Sequence, residues 1–198
     1  MIFAATTLTD PTGSPLSKRR WLWWSYREGK KVPNGKSNDP RTWTSRRDAR
    51  GGDGVGFVLG HVAEEGEYIC GIDLDGCLDG DEVTDELSRQ VLAQFNTYCE
   101  VSPSGGGLHL LFTVTREDVQ ALGLRSTTIT NTGDHHGVVL DIEGRYYAVT
   151  DDYYEGKRHI RQATRQQLGW LLAQKVTPTG KARDESGSGY GDRFFMSY

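Results

Sequence analysis

Two aspartates two positions apart, Asp73 and Asp75, end the apolar segment 67–75, and their spacing is the first sign of chemistry in this chain. Because side chains alternate along a β-strand, both carboxylates would project from the same face, about 6.5 Å apart. Carboxylates held so close repel each other unless a cation lies near both, and Mg²⁺ or Mn²⁺ prefers such oxygen ligands. The pair therefore suggests a divalent-metal site, and the alternative is an ordinary turn.

Two more strand-like segments place ionisable residues on the face opposite their apolar residues. In residues 108–114 and 138–143, apolar side chains alternate with His109 and Asp141, respectively. Each of these groups alone is consistent with a solvated surface. Taken together with the Asp73–Asp75 pair, they predict one catalytic face built on three strands, with the three aspartates as metal ligands.

A glycine-rich segment, Ser-Pro-Ser-Gly-Gly-Gly at residues 102–107, comes just before His109. Successive glycines let backbone N–H groups converge on a phosphate, and the Ser102 and Ser104 hydroxyls add donors. The segment lacks the Gly-Lys-Ser/Thr ending of a Walker A loop, and the alternative is a plain hairpin turn. Three carboxylates, a phosphate-binding loop and a histidine suit two-metal phosphoryl transfer.

The net charge of −4 hides a strong separation of charge along the chain. Residues 17–50 contain 11 Lys and Arg against 3 acids, whereas residues 61–100 contain 11 acids against one base. A basic segment that contacts a polyanion and an acidic segment that binds metal would produce this separation, and so would two solvated faces. The basic segment also contains aromatic rings on which bases can stack, namely Trp21, Trp23, Trp24, Tyr26 and Trp43. At least two of its four tryptophans are expected in the core.

The elements that would position these residues alternate without a regular βαβ count, which favours a mixed α/β fold. Strands are predicted at 21–26, 54–60, 67–75 and 108–114, with a hairpin formed by 138–143 and 145–150. Helices are predicted with N-caps at Asp81, Thr115 and Thr164, and residues 27–53 are expected to form a surface loop. Residues 1–176 would form the catalytic domain, and the polar residues 177–198 a linker to a following region.

Cysteine usage and hydropathy exclude several classes of protein. Cys70, Cys77 and Cys99 show no Cys-x-x-Cys spacing, so neither a disulfide framework nor a structural zinc site is expected, and the compartment is a reducing cytosol. Cys70 is expected on a buried strand and Cys99 near a helix end. No apolar run approaches the ~20 residues of a bilayer span and no signal peptide is evident, which excludes a membrane protein.

Three strings of residues together resemble the archaeo-eukaryotic primase superfamily, in particular the primase-polymerase domain of phage and plasmid replication proteins. They are the Asp-x-Asp string at 72–75, the Ser-to-His string at 102–109 and the acid within 140–142. The resemblance spans residues 20–155, with the motifs in one order. It implies a catalytic core with an RRM-like mixed or antiparallel sheet flanked by helices, plus a smaller N-terminal α/β lobe.

The resemblance implies a DNA primase and DNA polymerase that copies a single-stranded DNA template from NTP or dNTP substrates. Asp73, Asp75 and Asp141 would bind two Mg²⁺ or Mn²⁺ ions. The incoming nucleotide would contact Ser102, Ser104, Gly105, Gly106, His109 and Arg145. The DNA would contact Lys30, Lys31, Trp43, Arg46 and Arg47. A helicase domain often follows such domains on the same polypeptide, and the protein would act in the cytoplasm, that of the bacterial host if it is phage-encoded.

Three other interpretations share some of these residues. A metal-dependent nuclease would use the same carboxylates but usually places a lysine beside the last acid, and the residues that follow Asp141 lack one. A non-catalytic single-stranded-DNA-binding domain would explain the basic segment but leave the acids and the histidine without a role. A calcium-binding EF-hand loop would use Asp75, Asp79 and Glu86, although Cys77 breaks its pattern.

Overall fold

The computed structural model describes residues 18–62, 66–133 and 136–175, and the predicted linker, residues 177–198, lies outside them. The described chain is a mixed α/β fold dominated by β-sheet, which confirms the expected class. Its strands are β1 (Trp21–Arg27), β2 (Lys30–Pro33), β3 (Gly54–Val58), β4 (Gly60–Val62), β5 (Glu67–Asp75), β6 (Leu78–Asp79), β7 (Glu82–Val83), β8 (Tyr98–Val101), β9 (Leu108–Thr115), β10 (Thr127–Gly133), β11 (His136–Asp141), β12 (Tyr146–Val149) and β13 (Arg161–Gln162). Its helices are α1 (Glu86–Phe95), α2 (Arg116–Ala121) and α3 (Arg165–Ala173). No helix in these described ranges has the length and apolar character needed to cross a membrane.

A seven-stranded sheet forms the centre of the fold, with β5 as its middle strand. The order is β10-β11-β5-β9-β13, with β4 also beside β5 and β8 also beside β9. Every pair is antiparallel except the short pair of β9 with β13. The predicted strand at 67–75 is confirmed residue for residue, and its Cys70, Ile72 and Leu74 point into the main core. Their alternation leaves Asp73 and Asp75 on the other face.

Helix α1 begins later than the sequence predicts, because its N-cap is Asp85 and not Asp81. The Asp85 carboxylate accepts a hydrogen bond from the Ser88 N–H at 2.9 Å. The residues before it pair as a small hairpin of β6 and β7, so Asp81 lies in a turn between two strands. Either aspartate has the right chemistry for a cap, and the strand pairing decides between them. The helix packs Val91 and Phe95 into the main core.

The predicted N-caps of the other two helices are confirmed. The Thr115 hydroxyl accepts from the Asp118 N–H at 3.0 Å, at the start of α2. Thr164 and Gln167 form a reciprocal capping box at the start of α3. In such a box each side chain binds the backbone N–H of the other residue, so two otherwise unpaired donors are satisfied.

A second, four-stranded antiparallel sheet has the order β12-β3-β1-β2. Its Trp21 and Phe57 rings pack edge to face at 5.2 Å, within a second core that also contains Ile69 and Leu111 of the central sheet. Trp21 and Trp24 are buried, which confirms that at least two tryptophans lie in the core. The expected N-terminal α/β lobe is therefore a sheet that takes one strand from the C-terminal half. Among the described residues of that part, the only helical element is a 3-10 turn at Pro40–Thr42.

The predicted hairpin of residues 138–143 and 145–150 is wrong, because its two strands lie in different sheets. β11 pairs with β5 and β10 in the central sheet, whereas β12 pairs with β3 in the second sheet. Between them Gly144 has a φ of +76°, which glycine adopts without steric cost. The chain therefore leaves one sheet and enters the other within a few residues of Asp141.

Two strands of the central sheet escape the sequence pattern, β8 and β10. Cys99, expected near a helix end, lies on β8, whereas Cys70 is buried on β5 as expected. β8 is short and buried on both faces, so no apolar–polar alternation marks it. β10 is rich in threonine and its register shifts between Thr128 and Thr130, which breaks the alternation. The surface loop expected at 27–53 likewise contains strand β2.

Glu100 on β8 is a buried carboxylate that ties the central sheet to the segment after β12. Its Oε2 accepts hydrogen bonds from the Tyr98 hydroxyl at 2.8 Å and from the Thr150 and Asp151 N–H groups at 3.1 Å each. Burial raises the pKa of Glu100 to about 7, against the pull of these donors. Because the unfolded chain ionises at an ordinary lower pKa, the stability that Glu100 contributes falls as the pH rises from about 4.5 to about 7.

We predict that Glu100→Gln gains stability relative to the natural protein as the pH rises through this window. Gln keeps an oxygen for the same donors and cannot ionise, so it avoids a cost of about 3 kcal/mol at most for a buried carboxylate. Urea unfolding of both proteins near pH 5 and near pH 7.5 measures the difference. The same difference at the two pH values would contradict a raised pKa for Glu100.

Candidate active site

Three neighbouring strands bring the predicted acids and the histidine to one face of the central sheet. Asp73 on β5 lies opposite His109 on β9, and Asp141 on β11 lies opposite Gly71 on β5. Residues directly opposite in a ladder share a face, so all three ionisable side chains point away from the main core. In this register Asp73 and Asp141 are diagonal neighbours on adjacent strands, and their Cα atoms are about 7–8 Å apart. Asp75 lies on the same face, at the exposed end of β5.

Asp73 occupies an electrostatically unfavourable position. Burial, followed by repulsion from Asp75 and Asp141, raises the pKa of Asp73 to about 6, and the charge of Lys31 opposes this shift. The Asp73 side chain is still 37% exposed, so water screens part of the repulsion. The cluster therefore has an excess of negative charge that a nearby cation would relieve.

The three carboxylates do not form a ready-made metal cage. Within the described ranges, no three His, Cys, Asp or Glu side chains are grouped closely enough to hold a metal ion. Asp73, Asp75 and Asp141 nevertheless share one face and offer only oxygen donors, which Mg²⁺ and Mn²⁺ prefer. The donor chemistry fits a divalent ion, and binding one would require the side chains to move closer together.

Tyr147 on β12 covers this face from the second sheet. Its hydroxyl donates a hydrogen bond to Asp141 Oδ2 at 3.1 Å, and its ring centroid lies 4.8 Å from that of His109. Gly71 makes room for the ring, because a Cβ at that position would lie 2.4 Å from the tyrosine Cε2. Burial, then the charges of Asp141 and Asp73, raise the pKa of Tyr147 well above its ordinary value. The hydroxyl therefore keeps its proton and remains a donor.

His109 is held as a neutral ring with a defined orientation. Its Nδ1 lies 3.1 Å from the Ala148 carbonyl oxygen, and a carbonyl only accepts, so Nδ1 carries the proton. Burial lowers the pKa of His109 to about 4, so at neutral pH the other nitrogen, Nε2, has no proton. Nε2 lies 3.8 Å from Asp73 Oδ1, and this contact is therefore not an ion pair at neutral pH. At this point of the site the neutral ring therefore offers a lone pair and not an N–H donor.

The glycine-rich segment forms the turn of the β8–β9 hairpin, the alternative that the sequence left open beside a phosphate site. Within it the Ser102 and Ser104 hydroxyl oxygens lie 2.9 Å apart, and the Gly105 N–H donates to the Ser102 carbonyl at 2.9 Å. Gly107 packs against the end of β5, where a Cβ would lie 3.4 Å from the Asp75 Cα. The turn and its two hydroxyls therefore lie beside the exposed end of the acidic cluster.

Cationic side chains border the acids. Arg145 Nε lies 3.9 Å from Asp141 Oδ1, and this side chain is 72% exposed. Lys31 on β2 is exposed and close enough for its charge to lower the pKa of both Asp73 and His109. Two cations thus partly offset the negative charge, and their exposure leaves them accessible to an anion.

The remaining predicted DNA contacts differ in their surroundings. Lys30 and Arg47 are exposed, and Trp43 is half-buried. Arg46 forms an ion pair with Asp151, and its guanidinium lies 4.8 Å from the centroid of the Trp21 ring. The charge of Arg46 is therefore used within the fold, unlike that of Arg47.

The EF-hand interpretation is wrong, because the residues that it needs do not lie in a helix–loop–helix. Asp75 ends strand β5, and Asp79 lies in β6, which pairs with β7. Glu86 is the first residue of α1, beyond this hairpin. A calcium loop of that type would need a helix in place of β5.

Two residues of the site do not emerge from the sequence motifs, Gly71 and Tyr147. A glycine inside an apolar strand often marks a place where another group approaches closely, and this signal was available for Gly71. No comparable signal marks Tyr147, because its contact with Asp141 depends on the passage of the chain from one sheet to the other.

The sequence is similar to that of a DNA primase-polymerase, which supports a relationship to primase-polymerases. The relative is the protein named DNA Primase-polymerase of Nitratiruptor phage NrS-1, which is 30% identical over 173 residues. The match covers 79% of this chain and 22% of the relative, so the chain spans about a fifth of the length of that protein. The chain matches no protein-family model. Membership of the archaeo-eukaryotic primase superfamily therefore stays an expectation.

We predict that Gly71→Ala destabilises the protein, whereas Gly169→Ala does not. The added methyl at position 71 would lie 2.4 Å from the Tyr147 ring, and such overpacking costs about 1–3 kcal/mol. Gly169 lies in α3, and a methyl added there would have no neighbour within 4 Å, so alanine should stabilise the helix by up to about 1 kcal/mol. Thermal unfolding of both variants is the measurement, and equal unfolding temperatures would contradict the close approach of Tyr147 to Gly71.

Proposed function

We propose that this chain is a DNA-templated nucleotidyltransferase, a primase-polymerase that joins nucleotides on a single-stranded DNA template. The similarity to the phage DNA primase-polymerase supports this class of function. The chemistry is supported by one observation, the convergence of Asp73, Asp141 and His109 on one face of the central sheet, beneath Tyr147. The biological setting that we propose is a phage or plasmid replication protein, with a helicase domain elsewhere on the same polypeptide.

The proposed reaction joins a 3′-hydroxyl to an incoming NTP or dNTP. The hydroxyl oxygen attacks the α-phosphorus, a new P–O bond forms, the hydroxyl proton is lost and pyrophosphate leaves. Two Mg²⁺ or Mn²⁺ ions would supply charge compensation for the attacking and leaving oxygens. In this proposal Asp73, Asp75 and Asp141 hold them, and the Tyr147 hydroxyl orients Asp141 through Oδ2. Oδ1 would bind an ion once the exposed Arg145 side chain, whose Nε lies 3.9 Å from it, turns away toward the phosphates.

In this proposal the triphosphate group of the incoming nucleotide lies between the hairpin turn and His109. The turn supplies neutral donors from the Ser102 and Ser104 hydroxyls and from the backbone at 105–106. The His109 ring is fixed by its two contacts with β12, so it meets the nucleotide without first losing rotational freedom. Its Nε2 has no proton at neutral pH, so in this proposal it takes one up from solvent as the phosphates approach, because a neighbouring negative charge favours the charged ring, and it then donates to a phosphate oxygen. The exposed guanidinium of Arg145 adds a positive charge for the phosphates.

The DNA, in this proposal, contacts the second sheet and the segment that follows β2. Lys30, Lys31 and Arg47 are exposed cations that can pair with phosphates without sequence preference. Trp43 offers an aromatic ring to a base. Arg46 contributes indirectly, because its ion pair and its contact with a buried tryptophan hold this segment against the second core.

A non-catalytic single-stranded-DNA-binding domain is the second candidate. It is favoured by the lack, within the described ranges, of any three acidic, cysteine or histidine side chains close enough together to hold a metal ion. It predicts DNA binding without nucleotide incorporation. A metal-dependent nuclease has no such supporting observation.

We predict that Asp73→Asn reduces nucleotide incorporation roughly a hundredfold or more, because it removes a charge from the proposed ion site. The substitution also relieves repulsion from Asp75 and Asp141, so the variant should be at least as stable as the natural protein. Incorporation is measured with single-stranded DNA, Mn²⁺ and labelled nucleotides, with and without a primer.

The matched control is Asp81→Asn, an exposed acid in the turn between β6 and β7, which should keep full activity. DNA binding should persist in both variants, since neither removes a cation. Normal synthesis by Asp73→Asn on a primed template would refute the metal-ligand assignment. Binding of DNA by the natural protein without incorporation under any metal condition would favour the non-catalytic candidate.

We predict that His109→Ala raises the KM for nucleotide about tenfold and changes kcat less, because the ring is proposed to contact the triphosphate. The control is His159→Ala, an exposed histidine between β12 and β13. Steady-state extension of a primed template at varied nucleotide concentration separates the two constants. An unchanged nucleotide dependence in a folded His109→Ala variant would remove His109 from the nucleotide site.

A further inference from the structure

A cavity of about 890 Å³ lies beside the β11–β12 turn, between that turn and the residues just before β1. We call it the Arg20 cavity, and the residues of its lining used below are Lys18, Arg19, Arg20, Trp43, Glu143 and Gly144. Its volume exceeds the roughly 300 Å³ lower range of small-molecule sites, so one nucleotide unit would fit. None of the three basic residues at its edge belongs to the proposed catalytic centre.

Arg20 presents a buried positive charge to this cavity. The residue is 8% exposed, its Nε donates to the Val58 carbonyl at 2.8 Å, and its Nη1 donates to the His61 carbonyl at 2.9 Å. Among the described residues, these carbonyl oxygens are its hydrogen-bond partners and no carboxylate forms an ion pair with it. Because a buried charge without a counter-ion is costly, the guanidinium is suited to receive an anion.

Trp43 supplies a fixed aromatic surface in the same cavity. Its indole N–H donates to the Lys36 carbonyl at 2.9 Å, which restricts the rotation of the ring. The Arg20 guanidinium lies over the ring, 4.6 Å from its centroid. A ring held in this way can stack with a base at a low cost in side-chain entropy.

The cavity is connected to the catalytic face through the β11–β12 turn. The Ser37 hydroxyl donates to the Gly144 carbonyl at 2.7 Å, which joins the segment after β2 to this turn. Gly144 immediately precedes Arg145, whose Nε lies 3.9 Å from Asp141 Oδ1. The cavity and the acidic cluster therefore lie at opposite ends of one short stretch of chain.

We propose that the Arg20 cavity binds one nucleotide of the single-stranded DNA template, with its phosphate at Arg20, Lys18 and Arg19 and its base against Trp43. Glu143 favours this occupant over a free triphosphate, because a carboxylate repels the several charges of a triphosphate more than the single charge of one phosphodiester, and it can accept a hydrogen bond from a base N–H such as that of thymine. The inference rests on the proposed function only in taking the nucleic acid to be the template.

The test measures binding of a fluorescein-labelled oligodeoxythymidine and of an abasic oligomer of equal length, without divalent metal and over a series of salt concentrations. Arg19→Glu, an exposed substitution, should lower the magnitude of the salt slope by about one or more. Trp43→Ala should weaken binding of the oligodeoxythymidine roughly tenfold and binding of the abasic oligomer much less. Trp43→Phe should recover most of the lost affinity for the oligodeoxythymidine, because phenylalanine also stacks with a base. If the indole had only a structural role, Trp43→Ala would weaken binding of both oligomers to the same extent.

The matched control is Arg161→Glu, at an exposed arginine on β13 at the far edge of the central sheet. This substitution should change the binding of neither oligomer. Unchanged binding by both Arg19→Glu and Trp43→Ala, in folded proteins that still incorporate nucleotides, would overturn the cavity proposal and the DNA contact of Trp43, and it would leave the proposed reaction intact. A different result is that the cavity variants bind DNA more weakly while the natural protein incorporates no nucleotide. This result would support the cavity proposal and refute the proposed polymerase function. Competition by free dTTP as strong as that by oligonucleotide would refute the template as occupant.

Discussion

The contact between Tyr147 and Gly71 is the constraint on which the candidate site depends. The tyrosine ring occupies the space that a Cβ at position 71 would fill. From there its hydroxyl reaches Asp141 and its ring packs on His109. Close-packed interiors transmit small displacements, so a shift of one sheet against the other would move an acid and the histidine together. The site is therefore a product of two packed sheets, and the central sheet alone would not orient it.

The same packing forces negative charges together. A slip of β5 by one residue would separate Asp73 and Asp75 from the histidine, but it would also turn Ile72 and Leu74 out of the main core. The hydrophobic core therefore fixes the register, and the register fixes the repulsion that appears in the raised pKa of Asp73. Carboxylates whose pKa values are shifted by burial and by neighbouring charges cluster at functional sites, which is a physical reason to assign chemistry to this face.

Alternation along single strands was enough to predict which face each acid and the histidine would occupy, because a strand buried on one side has only one acceptable register. It was not enough to predict where the strands pair. The segments on either side of Gly144 look like a hairpin locally, and only the packing of Tyr147 and its neighbours in the second core assigns β12 to the other sheet. The N-cap of α1 failed for the same kind of reason, since strand pairing around Asp81 is not visible in capping chemistry.

The acidic and basic segments of the sequence also lie in different parts of the fold, on either side of the turn by which the chain passes from β11 in the central sheet to β12 in the second sheet. The acidic segment supplies β5 and α1, whereas the basic segment supplies β1, β2 and the rim of the Arg20 cavity. The β11–β12 turn lies between them, with Asp141 at one end and Glu143 in the cavity lining. Glu143 is two residues from Asp141 in sequence, and Gly144 immediately precedes Arg145. A strand of DNA held in the cavity would thus lie within a few residues of the catalytic face.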